Sequence, residues 1–508
     1  MLRNFLSVGG ITLLSRLTGF ARDVIMAAVI GAGPLMDAFS TAFRLPNHFR
    51  TIFGEGAFSA AYIPAYTQIR VKQGEEAAKA FQGRMLTILL LATGLLTLLA
   101  LYFTPQVINL LAPGFDRTPE RYRLAVALTR ITFPYLMLIT VVTLWSGALN
   151  AAGRFVAAAF APILLNLSLI AAMYLAGWFD TPGHAAAWAV TASGLLQLVL
   201  LGYAAQRAGI LALPRWPRRD ADLRLFFRRF LPAVIGAAGT QIAMFADTII
   251  STLLPTGAPS SIYYADRIYQ LPIGVIAIAA GTVLLPEMSR RFANGDIDGA
   301  HSAQNRVVAL TALMTLPFAV AFLLLAEPIM LGAFGRGRFD LAAAQAAGGV
   351  LAAYGVGLPA IVLIRAAVAG FQARGDTRTP MIVALVAVAC NVALKLVLTG
   401  PLGTPGLALA TSAGAWINLV LLVVLGCRRG WMAPDRALLK RLGAGLAAAL
   451  ALAVATPLLD APLRALTARL PQFHAESFLM LIGGAGAVIY VVTLLVALRL
   501  AGAPLRRR

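Results

Sequence analysis

Ser15-Arg16-Leu17-Thr18-Gly19-Phe20-Ala21-Arg22-Asp23 interrupts an N-terminal run that is otherwise apolar enough to cross a bilayer, and the next run carries Asp37, Arg44, Arg50 and Glu55. An ionised side chain at mid-bilayer costs roughly 2.5–3.5 kcal/mol on insertion scales, so such residues normally face a protein-lined, watered cavity. The surrounding chain is membrane protein from end to end: 508 residues, 59% hydrophobic and 12% charged, with a mean hydropathy of +0.80. Apolar segments of about twenty residues recur along it, each long enough to span a hydrocarbon layer of roughly 30 Å as a helix. The strict alternation of barrel strands is not seen. The expected fold class is an all-α polytopic membrane protein.

Apolar runs separated by Pro, Gly and charge clusters predict about fourteen transmembrane helices. They cover 5–30, 35–64, 85–111, 124–150, 155–177, 185–206, 230–254, 262–288, 307–331, 342–372, 380–399, 404–427, 438–459 and 477–501. Alternate loops differ sharply in basic residues. One side receives the stretches 70–84, 207–229 and 428–441, while the other holds few, among them Arg117, Arg121, Arg336 and Arg469. By the positive-inside rule both termini are expected in the cytoplasm.

The strongest composition break is the basic stretch 207–229. It divides an N-lobe at 1–206 from a C-lobe at 230–428, with two further helices at 429–508. The lobes read as related copies: Pro64 pairs with Pro286 and Ala152-Gly153-Arg154 with Arg374-Gly375-Asp376 at an offset of 222, and Asn166 pairs with Asn391 at 225. Copies of six helices share one orientation, so the expected architecture is two parallel-repeat lobes around a central cavity.

The net charge of +21 is scattered between apolar runs. That suits basic loops better than a nucleic-acid stripe. Cys390 and Cys427 have no metal-ligand spacing and read as packing residues. Arg16, Arg22 and Asp23 interrupt the place where a signal peptide needs an unbroken apolar core, so the first segment reads as a retained helix.

In the first lobe Arg16, Arg22, Arg44 and Arg50 outnumber Asp23, Asp37 and Glu55. The expected ligand therefore carries phosphate or carboxylate, which a guanidinium fork holds in bidentate fashion. The second lobe has its own embedded charges in Tyr263-Tyr264-Ala265-Asp266-Arg267. His48 stands alone beside the first cluster. A separate line of Asp247, Asn391 and Lys395 is either an internal salt bridge or an ion or proton site; Asn391 and Lys395 share a helix face. No GxSxG, HExxH or Walker loop is present, so neither hydrolase chemistry nor ATP-driven movement is indicated, and no cofactor is expected.

Ser15 to Asp23, Asp37-Ala38-Phe39, Phe43-Arg44-Leu45-Pro46-Asn47, Phe53-Gly54-Glu55-Gly56-Ala57-Phe58-Ser59 and Tyr263 to Arg267 together resemble the signature stretches of the MurJ (MviN) lipid II flippases. These belong to the multidrug/oligosaccharidyl-lipid/polysaccharide exporter superfamily. The resemblance runs through at least the first twelve helices, and the two C-terminal helices also suit the family.

It implies a fourteen-helix inner-membrane protein, not an enzyme, whose partner is lipid II. Lipid II is the undecaprenyl-pyrophosphate-linked disaccharide-pentapeptide, which the family moves to the periplasmic leaflet for cell-wall synthesis. By resemblance, Arg16, Arg22, Arg50 and Arg267 line the cavity, Asp37 and Arg44 are functionally important, and the last two helices form a groove for the polyprenyl tail. Thr51 and Lys395 depart from the family pattern, and the second departure weighs against sodium coupling. The residues leave open a flippase for another lipid-linked oligosaccharide, a cation-coupled drug exporter, and a scaffold that binds such lipids without moving them. Membrane potential or a coupling ion is the expected energy source.

Overall fold

Four helices begin where an aspartate caps them, ahead of the apolar run. Asp220, Asp296, Asp340 and Asp435 accept from the backbone N–H of Leu223, Gly299, Ala343 and Leu438 at 2.8, 2.8, 2.8 and 2.6 Å. Each satisfies one of the N–H groups that a helix N-terminus leaves unpaired. This is why four helices start at 221, 297, 341 and 436, earlier than hydropathy alone predicts.

The structure, a computed structural model, describes residues 2–53, 56–218, 220–468 and 474–503. Glu55 and Arg469 lie outside these residues, and the side chain of Arg117 is likewise not described. Among the described residues all regular secondary structure is helical, with no strand, and they form two compact units, Met1–Ser260 with Gly337–Phe339, and Ser261–Arg336 with Asp340–Arg508.

The first unit contains α1 (Leu2–Ile30), α2 (Pro34–Phe53), α3 (Ala57–Gln73), α4 (Glu75–Tyr102), α5 (Thr104–Leu111), α6 (Pro119–Thr132), α7 (Tyr135–Ala151), α8 (Val156–Tyr174), α9 (Pro182–Arg207) and α10 (Ala221–Leu253). α1 packs on α8, α8 on α9, α2 on α6 and α3 on α10. The predicted segment 35–64 holds two helices, α2 and α3. The basic stretch after α9 is not a loose tether: Ile210 and Ala212 are buried, and the Arg215 N–H donates to the Gly83 carbonyl of α4 at 3.1 Å. A Cβ on Gly83 would lie 2.4 Å from the Leu213 carbonyl oxygen, so only glycine admits this crossing.

The second unit takes α11 (Ala258–Pro272) from Ser261 onward, a π turn (Ile273–Ala277), α12 (Ile278–Ala293), α13 (Ile297–Leu324), α14 (Ala326–Phe334), α15 (Leu341–Gln372), α16 (Arg378–Arg428), α17 (Arg436–Thr467) and α18 (His474–Leu500). α16 holds two of the predicted spans, 380–399 and 404–427, joined at Gly403, whose φ of 59° and ψ of −137° break the helix. α13, α17 and α18 meet around Leu313, Ala448, Leu452 and Leu494. Tyr490 is buried with them, and its hydroxyl donates to the Leu313 carbonyl at 2.7 Å, so its one polar atom is satisfied.

Among the described residues nine helical stretches are long and apolar enough to cross a membrane. The chain is a multi-pass membrane protein. α1 and α2, which carry the embedded charges, are not among the nine.

Candidate functional site

Asn166 on α8 decides where Arg22 of α1 points. Arg22 Nη1 donates to Asn166 Oδ1 at 2.9 Å, while the Asn166 amide nitrogen donates to the Ser15 carbonyl at 3.0 Å and to Thr18 Oγ at 3.2 Å. The amide thus ties α8 to one turn of α1 and orients the guanidinium from the same side chain. At Gly19 a Cβ would sit 3.4 Å from the Asn166 amide nitrogen, an ordinary contact distance. Asp23 takes the rest of the fork, accepting from Arg22 Nε at 3.0 Å and Nη2 at 2.6 Å. Both residues are buried, and this pairing neutralises part of the charge counted from the sequence.

Arg22 and Asn166 line a cavity of about 430 Å³ together with Asn47, Arg50, Asn150 and Gln197. Arg50 Nε donates to Asn47 Oδ1 at 2.9 Å, one turn away on α2. The result is a polar chamber with two guanidinium groups held by amides, suited to an anionic, hydrogen-bonding ligand.

The other predicted residues fall elsewhere. Asp37 is fully buried at the start of α2. Its Oδ1 accepts from the Ser260 N–H at 2.9 Å, and its Oδ2 accepts from the Gly257 N–H at 2.7 Å and from Arg121 Nη1 at 3.3 Å. Arg121, read from the sequence as a loop residue, is only 2% exposed. It lies over the Phe115 ring at 4.3 Å and donates to the carbonyls of Gly114 and Thr252 at 3.3 and 3.4 Å. A Cβ on Gly114 would fall 1.9 Å from the Thr252 carbonyl oxygen, so the turn before α6 is glycine by necessity. Asp37 and Arg121 form a latch closing α2 and α6 onto the end of α10 and the turn that follows it.

Arg16 is exposed on α1 and Arg44 is half-buried on α2, and neither lines the cavity. His48 packs its ring against Phe245 at 4.8 Å, and neither ring nitrogen meets a hydrogen-bond partner among the described residues, which gives no relay. Asp247 lies half-buried on α10. In the second unit Arg267 stacks over Tyr263, one turn earlier, at 4.6 Å. Asn391 and Lys395 are both buried on one face of α16, and the Asn391 amide donates to the Ala410 carbonyl at 3.2 Å. Among the described residues no group of three His, Cys, Asp or Glu is placed to hold a metal.

The sequence reading missed Asn166 and Arg121 as site residues. Asn166 entered the sequence reading only as the counterpart of Asn391, and its partner Arg22 is 144 positions away. Arg121 gave no signal, because an arginine in a loop is the ordinary case.

A family model described as "Lipid II flippase MurJ" matches residues 26–466. A protein of Rhizobium meliloti, "Probable lipid II flippase MurJ", is 42% identical over 87% of this chain and 83% of its own length. "Lipid II flippase MurJ" of Burkholderia cenocepacia is 34% identical over 86% and 85%. A solved structure, "Lipid II flippase MurJ, inward closed conformation", superimposes with a TM-score of 0.81 at 23% identity, covering 97% of this chain and 98% of its own. An inward-facing MATE transporter of the MOP superfamily aligns at 0.69 and 16% identity, over 84% of this chain and 97% of its own. With a family model matched across most of its length and relatives of such identity, this chain belongs to the MurJ lipid II flippase family.

Proposed function

We propose that this protein carries the head group of lipid II, the undecaprenyl-pyrophosphate-linked disaccharide-pentapeptide, from the cytoplasmic to the periplasmic leaflet of the bacterial inner membrane. The observation that carries the reading is the polar chamber in which Asn166 and Asn47 hold Arg22 and Arg50. Pyrophosphate and carboxylate need cations in a watered, protein-lined space, while the polyprenyl tail can stay in lipid. The protein is a transporter, not an enzyme. Arg267 and Arg16 supply further cationic contacts along the path, and Arg44 adds positive charge on α2. α17 and α18 offer the tail its groove.

Movement is by alternating access between two lobes, 1–206 and 230–428, with both termini cytoplasmic. That MATE transporters of similar fold occur both inward-facing and outward-facing supports this. Asp37 serves as a latch: opening requires that the carboxylate release the Gly257 and Ser260 N–H groups and Arg121. An inside-negative potential favours outward movement of negative charge by about 2.3 kcal/mol per charge per 100 mV.

The test is complementation in cells depleted of their own lipid II flippase, with wild type, Arg22→Ala and Arg267→Ala at matched membrane abundance. Rescue by wild type and failure of both variants is expected. An abundant, inserted wild type that does not rescue would move the substrate to another lipid-linked oligosaccharide.

A further inference from the structure

The two units end corresponding helices with the same turns but fill the space beside them differently. α7 ends at Gly153, with φ +74°, where the Arg154 N–H donates to the Leu149 carbonyl at 2.9 Å. α15 ends at Gly375, with φ +81°, where the Asp376 N–H donates to Phe371 at 3.1 Å. α9 and α16 likewise match: Gly209 and Gly430 have φ of +71° and +66°, followed by bonds from Ile210 to Ala205 at 3.0 Å and from Trp431 to Gly426 at 2.8 Å. These are helix-ending motifs that need glycine in the left-handed region.

In the second unit the chain itself fills the cleft between these turns. Trp431 stands edge-on to Phe371 at 5.5 Å, and Met432 packs so closely that its sulfur would be 2.7 Å from a Cβ on Gly426. Asp376 supplies the negative charge: it accepts from the Thr379 N–H at 2.9 Å and from Arg429 at 2.9 Å. In the first unit the cleft is open, about 460 Å³, and no acid lines it. Arg154 stands where the second unit has Asp376. Arg154 and Arg207 are both exposed, and neither guanidinium meets an acceptor among the described residues. The walls are apolar, from Leu149, Phe160 and Leu200, with Tyr203 exposed at the rim.

The second unit therefore shows what this shape takes: an apolar body and one anionic group resting on arginine. We propose that the open cleft of the first unit binds an anionic phospholipid, its phosphate on Arg154 and Arg207 and the upper part of an acyl chain along Leu149, Phe160 and Leu200. Basic clefts between helices at the arginine-rich membrane face select anionic head groups by charge, and a rim tyrosine suits the interface. The cleft shares no lining residue with the Arg22 cavity, so the inference stands apart from the transport reading.

The test is native mass spectrometry of the full-length, detergent-purified protein titrated with dioleoylphosphatidylglycerol, dioleoylphosphatidylcholine or glycerol 3-phosphate. One phosphatidylglycerol should be retained at least about tenfold more tightly than phosphatidylcholine. Arg154→Gln/Arg207→Gln should remove that preference without changing the thermal unfolding midpoint, both side chains being exposed. Ala204→Trp, which fills the cleft and keeps the arginines, should abolish retention of the lipid. Equal retention of the two lipids by wild type, a preference that survives the arginine double variant, or glycerol 3-phosphate competing as well as the lipid would each overturn the proposal.

Discussion

Replacing Asn166 with leucine should weaken head-group binding almost as much as removing Arg22. The asparagine is 5% exposed and makes three hydrogen bonds, of which one, at 2.9 Å, fixes the charged guanidinium. A hydrogen bond to a charged group contributes about 1.5–3 kcal/mol, against about 0.5–1.5 for a neutral one. With leucine at 166, Arg22 keeps its bonds to Asp23 and collapses onto that carboxylate, away from the cavity. The expected coupling between positions 166 and 22 is therefore about 1.5–3 kcal/mol, or roughly ten- to 150-fold in affinity. Microscale thermophoresis of lipid II on purified wild type, Asn166→Leu, Arg22→Ala and the double variant measures it. The double variant should bind no more weakly than Arg22→Ala alone. Asn166→Asp keeps an acceptor for Arg22 but adds a second carboxylate, and should lose affinity most at low salt. Losses that simply multiply in the double variant, or an Asn166→Leu affinity within about twofold of wild type, would refute the positioning role.

Two further outcomes concern stability. Asp37→Ala or Arg121→Ala each strands a buried charge, since the partners are 0% and 2% exposed, and should cost about 3–5 kcal/mol, while the double variant should cost less than the sum; thermal unfolding in detergent decides, and strict additivity would contradict the latch. At the turn between α15 and α16, bonds from the Thr379 hydroxyl and N–H, with Arg429 beside them, hold the Asp376 carboxyl below the usual carboxylate range. A carboxylate with a depressed folded value stabilises above its ordinary value near 3.9 and loses that contribution as pH falls through the folded value. Asp376→Ala should thus lower stability by about 1 kcal/mol at pH 5 to 8 and match wild type at strongly acid pH, where unfolding curves that still differ would count against it.

The class of the protein and much of its helix order were legible because both depend on local composition. A run such as 477–501 is apolar whatever it packs against, and α18 covers nearly the same residues. The turn at Gly403 was legible for the same reason: glycine and two prolines within six residues do not continue a helix unbroken. The division of 35–64 into α2 and α3 was not, because apolar residues such as Phe53 and Phe58 continue on both sides. Helix starts were misplaced where an aspartate cap lies in a polar stretch, outside any hydropathy window, although the capping preference was available to find them.

For the site, the sequence by itself determined that arginines lie in helices that must be protein-lined, since the cost of burying charge in hydrocarbon belongs to each residue wherever it sits. It also determined that the excess charge is positive, and so what kind of ligand could enter. Only the tertiary structure decided which charges are committed elsewhere. Asp37 is taken by Arg121 and two backbone N–H groups, Arg22 is divided between Asp23 and Asn166, and Arg154 stands in an open cleft at the position where the second unit has the acid Asp376. Pairing energies fall off within a few ångströms in water and persist only in buried surroundings, so they are set by which helices meet, and those meetings join residues 84 to 223 positions apart.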